Sequence, residues 1–207
     1  MDPLRFYKRD VEEKAFEFLT IHHPGGEIPV PIEDIVELKL GIRLIAIPRL
    51  EKDFGVNAFI NKYFDSIVID ENVFMNQTER ARFTISEEIG HLTLHKDWYQ
   101  KNGPTSFDKY LDWQAGVDDK LFKYIEIQAR TFASLILIPT RNLENEWKII
   151  MKERAFTSPC DVFQLPDNVL PIMADRFQVT TESMLIRLSK AGWVTIPDGF
   201  WERKNKS

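Results

Sequence analysis

The chain carries a single cysteine, Cys160, so no internal disulfide can form and nothing covalent staples the fold. A reducing compartment fits that usage, and a cytoplasmic location is expected. Cys160 lies in Ser-Pro-Cys-Asp with no obvious base beside it, which reads as a packing or surface residue, not a nucleophile. No apolar run is long enough to span a bilayer, and Met1-Asp2-Pro3-Leu4-Arg5 does not open like a signal peptide, so no membrane role is expected. An excess of basic residues is missing too. Lys and Arg number 27 against 32 Asp and Glu, a formal charge of −5, whereas a dedicated nucleic-acid binder is usually basic. There is neither a repeat nor a low-complexity tract. What remains is an ordinary globular composition, 43% hydrophobic and 29% charged, on a chain long enough to bury a core.

Hydropathy spacing and breakers divide the chain. Pro3 to Thr20 reads as an amphipathic helix with Phe6, Ala15, Phe16, Phe18 and Leu19 as its apolar positions, ended by Pro24-Gly25-Gly26. A second helix runs through Ile32 to Leu38 and closes at Gly41. Three β-like runs follow, Ile42 to Ile47, Val56 to Asn61 and Ser66 to Asp70, and suggest a small antiparallel sheet. Helices are then expected over 77–95 and 118–138, the second stopped by Pro139. Between them, Lys96 to Gly116 is a polar connection holding Trp98, Tyr99, Phe107, Tyr110 and Trp113. A link of that length either forms a lip over a cleft or hangs loose. Beyond Pro139 come a helix over Leu143 to Ala155, a proline-bounded loop, and a helix–turn–helix-like stretch from Pro171 with Thr181 placed to cap its second helix.

Two of these helices carry candidate chemistry. On the first, Ile85, Ile89 and Leu92 make one apolar stripe, while Thr84, Glu87, Glu88, His91 and His95 share another at spacings of three and four. In H-E-x-x-H zinc peptidases two histidines one turn apart bind the metal, and the Glu after the first activates water. Here the frame reads Glu87-Glu88-Ile89-Gly90-His91, with Glu87 where the first histidine would stand. On the second helix Phe122, Ile125, Ala129, Phe132, Ala133 and Ile136 form a continuous apolar face with Glu126 in its middle. A carboxylate there needs a cation or a metal. Either a salt bridge with Arg130 or metal ligation would satisfy it.

The segment Arg82-Phe83-Thr84-Ile85-Ser86-Glu87-Glu88-Ile89-Gly90-His91-Leu92-Thr93-Leu94-His95 closely resembles the R-F-T-L/I-A-H-E-L/I-G-H-L-x-L-H signature of ImmA/IrrE-type metallopeptidases. Glu126 to Pro139 resembles that family's E-x-x-A-N-x-F-A-x-x-L-L-M-P helix, with Arg130 where the Asn usually stands. Pro29-Val30-Pro31 and Leu40-Gly41-Ile42 are similar to its opening, so the likeness runs over roughly residues 10 to 140 in the right order. The resemblance implies an α+β, zincin-like metallopeptidase core over 1–140, with a small antiparallel sheet, two site helices and a C-terminal helical, HTH-like module over 141–207. It implies Glu88 as general base, His91 and Glu126 as zinc ligands, and Glu87 in the place of the missing histidine. It also implies a part in transcription regulation and stress response, as a hydrolase that cleaves or antagonises an HTH-type repressor.

A site of His91, Glu87, Glu126 and water would hold two anionic ligands, which weakens the Lewis acid, raises the pKa of bound water and tilts preference toward manganese. Without any cation, Glu87, Glu88 and Glu126 crowd three negative charges, and at least one should be protonated. His95 lies eight residues from Glu87, about 12 Å along a helix axis, so both cannot hold one ion; packing or support of His91 is its expected role. The leading expectation is a metal-dependent endopeptidase of retained or reduced activity acting on a regulatory protein. Its rivals are a non-catalytic repressor-binding module with no metal, and a DNA-binding regulator using Arg187 and Lys190, although direct nucleic-acid binding is not expected from the charge.

Overall fold

A computed structural model of the chain describes residues 6–201 and divides it into two compact units, Met1–Pro139 and Thr140–Ser207. The fold is mixed α and β and mostly helical. Among the described residues no helix is long and apolar enough to cross a membrane.

The first unit opens with α1 (Lys8–His22), whose buried residues are Val11, Ala15 and Phe18. The expected start at Pro3 lies outside the described residues, and Phe16, expected on the apolar face, is largely exposed. A short helix, α2 (Ile32–Asp34), continues as a π-helical stretch, Ile35–Lys39, and ends at Gly41 with φ +67°. Strand β1 (Arg43–Ile47), helix α3 (Leu50–Phe54), and strands β2 (Ala58–Ile60) and β3 (Ser66–Asp70) follow.

The sheet is mixed, not antiparallel as expected: the order is β1-β3-β2, with β1 parallel to β3 and β2 antiparallel to it. The tight Asn61–Asp65 turn makes β2 and β3 a hairpin, with the Asn61 side chain hydrogen-bonded to the Asp65 carboxylate and to the Tyr63 amide. The connection containing α3 is long enough to carry the chain back and leave β1 on the far side of β3, where its direction must be parallel. Asp70, at the end of the central strand, accepts from the Val73 and Glu51 amides and so fixes the start of α4 (Glu71–Asn76) and of α3 together.

The long helix α5 (Thr78–Asn102) packs against α7, α1, α2, α4, β2 and β3, and this is why it is buried nearly all round. It runs seven residues past its expected end at His95, because Tyr99 repeats the buried position of His95 one turn on; Gly103-Pro104 stops it. The first third of the supposed connection is therefore the end of α5, and α6 (Phe107–Gly116) accounts for most of the rest. Helix α7 (Asp119–Leu137) is capped by Asp118, which accepts from the Leu121 amide, and ends before Pro139.

In the second unit α8 (Thr140–Arg154) buries Leu143, Trp147 and Ile150, and Trp147 stacks on Trp193. A two-residue parallel pair, β4 (Cys160–Asp161) with β5 (Val194–Thr195), joins its ends. Helices α9 (Val169–Phe177) and α10 (Thr181–Lys190) pack together, burying Met173, Phe177, Met184, Leu185 and Leu188. The cap of α10 is Thr180, which accepts from the Ser183 amide; Thr181 is already helical.

Candidate functional site

Helices α5 and α7 meet at a glycine. A Cβ on Gly90 would stand 2.9 Å from Ala129 Cα and 3.0 Å from Ala129 O, so only glycine lets the two backbones approach this closely. Around that crossing, Glu87 and His91 flank Gly90 on α5, and Glu126 and Arg130 flank Ala129 on α7. The four side chains pair across it. His91 Nε2 lies 3.2 Å from Glu126 Oε1, and Arg130 Nε donates to Glu87 Oε1 at 3.0 Å. Arg130 Nη2 is also 3.8 Å from Glu126 Oε2.

These residues form one end of a pocket of about 200 Å³. Glu88 lines it from α5 and also receives a hydrogen bond from the Ile60 backbone amide. The other walls are Val56 to Phe59 from the sheet, Phe122 from α7, and Tyr99, Tyr110 and Gln114. The aromatic stretch expected to be either a lip or a loose link is thus a folded wall. Trp113 packs behind it against Tyr99, Tyr110 and Phe122.

The alternating pattern of an antiparallel ladder settles which edge of β2 faces the site. Asn57 O accepts from Asp70 N toward β3, and the Ile60 amide points off the free edge to Glu88, so Ala58 shares that free edge.

Behind His91 runs a buried chain of polar groups. His91 Nδ1 is 3.2 Å from His95 Nδ1, His95 Nε2 is 2.7 Å from Gln128 Oε1, and Gln128 Nε2 donates to the Phe6 carbonyl. Because the Gln128 amide nitrogen serves Phe6, its oxygen accepts from His95 Nε2–H. His95 Nδ1 then accepts from His91 Nδ1–H, which leaves His91 Nε2 facing Glu126. His95 thus supports His91.

Burial drives the charges. Glu88 is pushed up to about 8 and Glu87 to about 7, the latter against the pull of Arg130. Burial would raise Glu126 as well, but the hydrogen bond and charge of His91, and then Arg130, hold it below its ordinary value. Burial would lower His91, yet its hydrogen bond to Glu126 and the three carboxylates raise it. His95, desolvated and beside His91, falls to about 3 and stays neutral. Crowded carboxyls without a metal keep a proton, and Glu88 is the one that does so most strongly.

As arranged, these side chains do not fit a zinc ion. Two ligands of a tetrahedral zinc stand about 3.3 Å apart, so the His91–Glu126 separation would suit one. A third is not gathered to them: Glu87 is engaged by Arg130, and among the described residues no three His, Cys, Asp or Glu groups are placed to hold an ion. The Arg130 guanidinium, although its side chain is 63% exposed, lies next to both carboxylates and opposes a second cation there.

Gln128 is a residue of the site that the sequence does not single out, whereas Tyr99 and Tyr110 stand out there only as part of the 96–116 connection. Gln128 could have been found as a polar residue on the buried side of a helix otherwise read as apolar. The partnership of Arg130 with Glu87 was legible only as two opposite charges at two altered positions.

A pair of helices crossing at a glycine thus brings Glu88, His91 and Glu126 together beside a small sheet. The family model Peptidase_M78, the IrrE N-terminal-like domain, matches residues 38–189, and the chain belongs to that family. A solved structure described as a Mycobacterium tuberculosis transcriptional regulator is similar with a TM-score of 0.54 at 12% identity, over 87% of this chain and 46% of that one. That likeness is one of fold, and this chain spans under half the length of that protein. Among curated proteins nothing matches.

Proposed function

We propose that this protein is a regulator of the ImmA/IrrE type that captures a segment of a regulatory protein, such as an HTH-type repressor, in the pocket beside β2. The observation that carries this reading is the edge of β2 that no further strand covers among the described residues, running along a pocket walled by Glu88, Phe59, Tyr99 and Tyr110. An extended segment could add as a further strand, its main chain bonding to Ala58 and its side chains entering the pocket. Proline removes one edge amide and is tolerated where that amide points away from the sheet. Ala58→Pro should therefore weaken capture of a repressor by about tenfold or more, measured by titration calorimetry, with circular dichroism unchanged. Undiminished affinity would remove the edge from the proposal.

The second reading, cleavage of the captured segment with zinc or manganese, would require Glu87 to leave Arg130 so that an ion could be held; what favours it is Glu88 beside His91 and Glu126. Glu88 would act as base, and Glu88→Gln should then abolish cleavage while sparing capture. Intact mass measurement of the repressor after incubation with each metal separates the two: an unchanged mass leaves the capture reading alone.

A further inference from the structure

We infer that Arg130 takes the place that a metal ion would hold in this site, so that the crossing of α5 and α7 is complete without metal and closed to zinc while Glu87 and Arg130 face each other. The geometry is specific. Arg130 Nε donates to Glu87 at 3.0 Å, and Nη2 reaches toward Glu126 at 3.8 Å, so one guanidinium serves a carboxylate from each helix. His91 satisfies the other Glu126 oxygen at 3.2 Å. The carboxylates that would have been ligands are therefore already matched, one cation and one imidazole against two anions, and among the described residues no three His, Cys, Asp or Glu groups surround a common centre. Guanidinium stays charged at every pH at which the protein folds, and its planar fork suits two carboxylates. A divalent ion entering beside it would meet like charge at short range and would have to take Glu87 from a partner that cannot deprotonate.

Neither change alone would open the site. With Glu87→His, Arg130 loses its partner on α5 but stays beside Glu126, next to the incoming ion. With Arg130→Asn, the repulsion goes, but what is left is one histidine with Glu87 and Glu126, an oxygen-rich set that would hold zinc too weakly to survive washing. Both together give two histidines and Glu126 with no cation nearby, a set that suits tetrahedral zinc.

This inference deepens the reading of the site as a capture cleft, but its test measures metal and not capture, so the two fail separately. The full-length protein, purified without a histidine tag, and the variants Glu87→His, Arg130→Asn, Arg130→Lys and Glu87→His/Arg130→Asn are dialysed against zinc, washed and analysed by elemental mass spectrometry and by melting with and without EDTA. The expected result is close to one zinc per chain and an EDTA-lowered melting point in the double variant only. Arg130→Lys should exclude zinc as the native protein does, because it keeps the cation. In calorimetric titration the double variant should bind zinc at least about a hundredfold more tightly than Glu87→His alone. Near-stoichiometric zinc in the native protein overturns the inference without reference to any variant. So does equal zinc affinity in Glu87→His and the double variant, or a folded double variant that takes up none.

Discussion

Glu88 is the residue whose proton the fold controls most strongly. It is buried, its carboxyl is raised to about 8, and in an unfolded chain it would titrate near its ordinary value of 4.5. A group with a raised folded value binds more protons in the native state across that interval, so its stabilisation is full at low pH and disappears as pH climbs through the folded value. Glu87, raised to about 7, and His91, raised above 6.5, act in the same direction, while His95 acts in the opposite one but only below 6.5. Between pH 6.5 and 8 the three therefore lower stability together as pH rises, each by at most about 1.4 kcal/mol per pH unit. Glu88→Gln mimics the protonated acid without a proton to lose. Urea denaturation across that window should show a shallower decline in Glu88→Gln than in the native protein, and parallel slopes would exclude Glu88 as a titrating group. Glu88, His91 and Glu126 were visible in the sequence because motif spacing fixes them on helix faces. The ion pair of Glu87 with Arg130 was not, since it depends on how two helices, distant in sequence, are offset where they cross.

That offset is an element-scale property, and Gly90 sets it. The substitution Gly90→Ala would gain about 1 kcal/mol in helix propensity. Its methyl would also meet Ala129 backbone atoms at 2.9 and 3.0 Å, and backbone has no rotamer to move aside. Overpacking of this kind costs about 1–3 kcal/mol, so it outweighs the propensity gain. The helices should separate, pulling Glu126 from His91 and Arg130 from Glu87 at once. Thermal unfolding should show a lower midpoint for Gly90→Ala, and a higher one would refute the close contact. The helices themselves were legible from periodicity and from Asp118 and Pro139 at the ends of α7. The length of α5 was not, because the polar residues after His95 hid Tyr99, whose burial depends on the wall that α6 provides. Strand positions were readable from composition, but the parallel pairing of β1 follows from where a connection carries the chain, which no local pattern encodes.

At the scale of the whole molecule, charge bears on the choice between a protein partner and DNA. The chain is acidic, with a net charge of −5, but the excess lies in the first unit; residues 140–207 are nearly balanced, so the case against DNA there rests on how their basic side chains are used. Arg187 of α10, one of the two residues considered for that contact, is only 7% exposed and donates to Thr140 Oγ1 at 2.8 Å, so it serves packing within its own unit. Met184, Leu185 and Leu188 are likewise turned inward, which spends the helix face on the α9–α10 core. Non-specific binding of duplex DNA rests on Lys and Arg that neutralise phosphates and release counterions, with dissociation constants of about 10⁻⁴ to 10⁻⁶ M for proteins equipped for it. Fluorescence anisotropy with a labelled 30-base-pair duplex, about the length of a three-turn site, should therefore stay flat to tens of micromolar protein at roughly physiological salt. Binding in the low micromolar range that weakens steeply with added salt would return the C-terminal helices to a DNA-contacting role. A flat response, with capture of the repressor retained, leaves protein recognition by the first unit as the regulatory act.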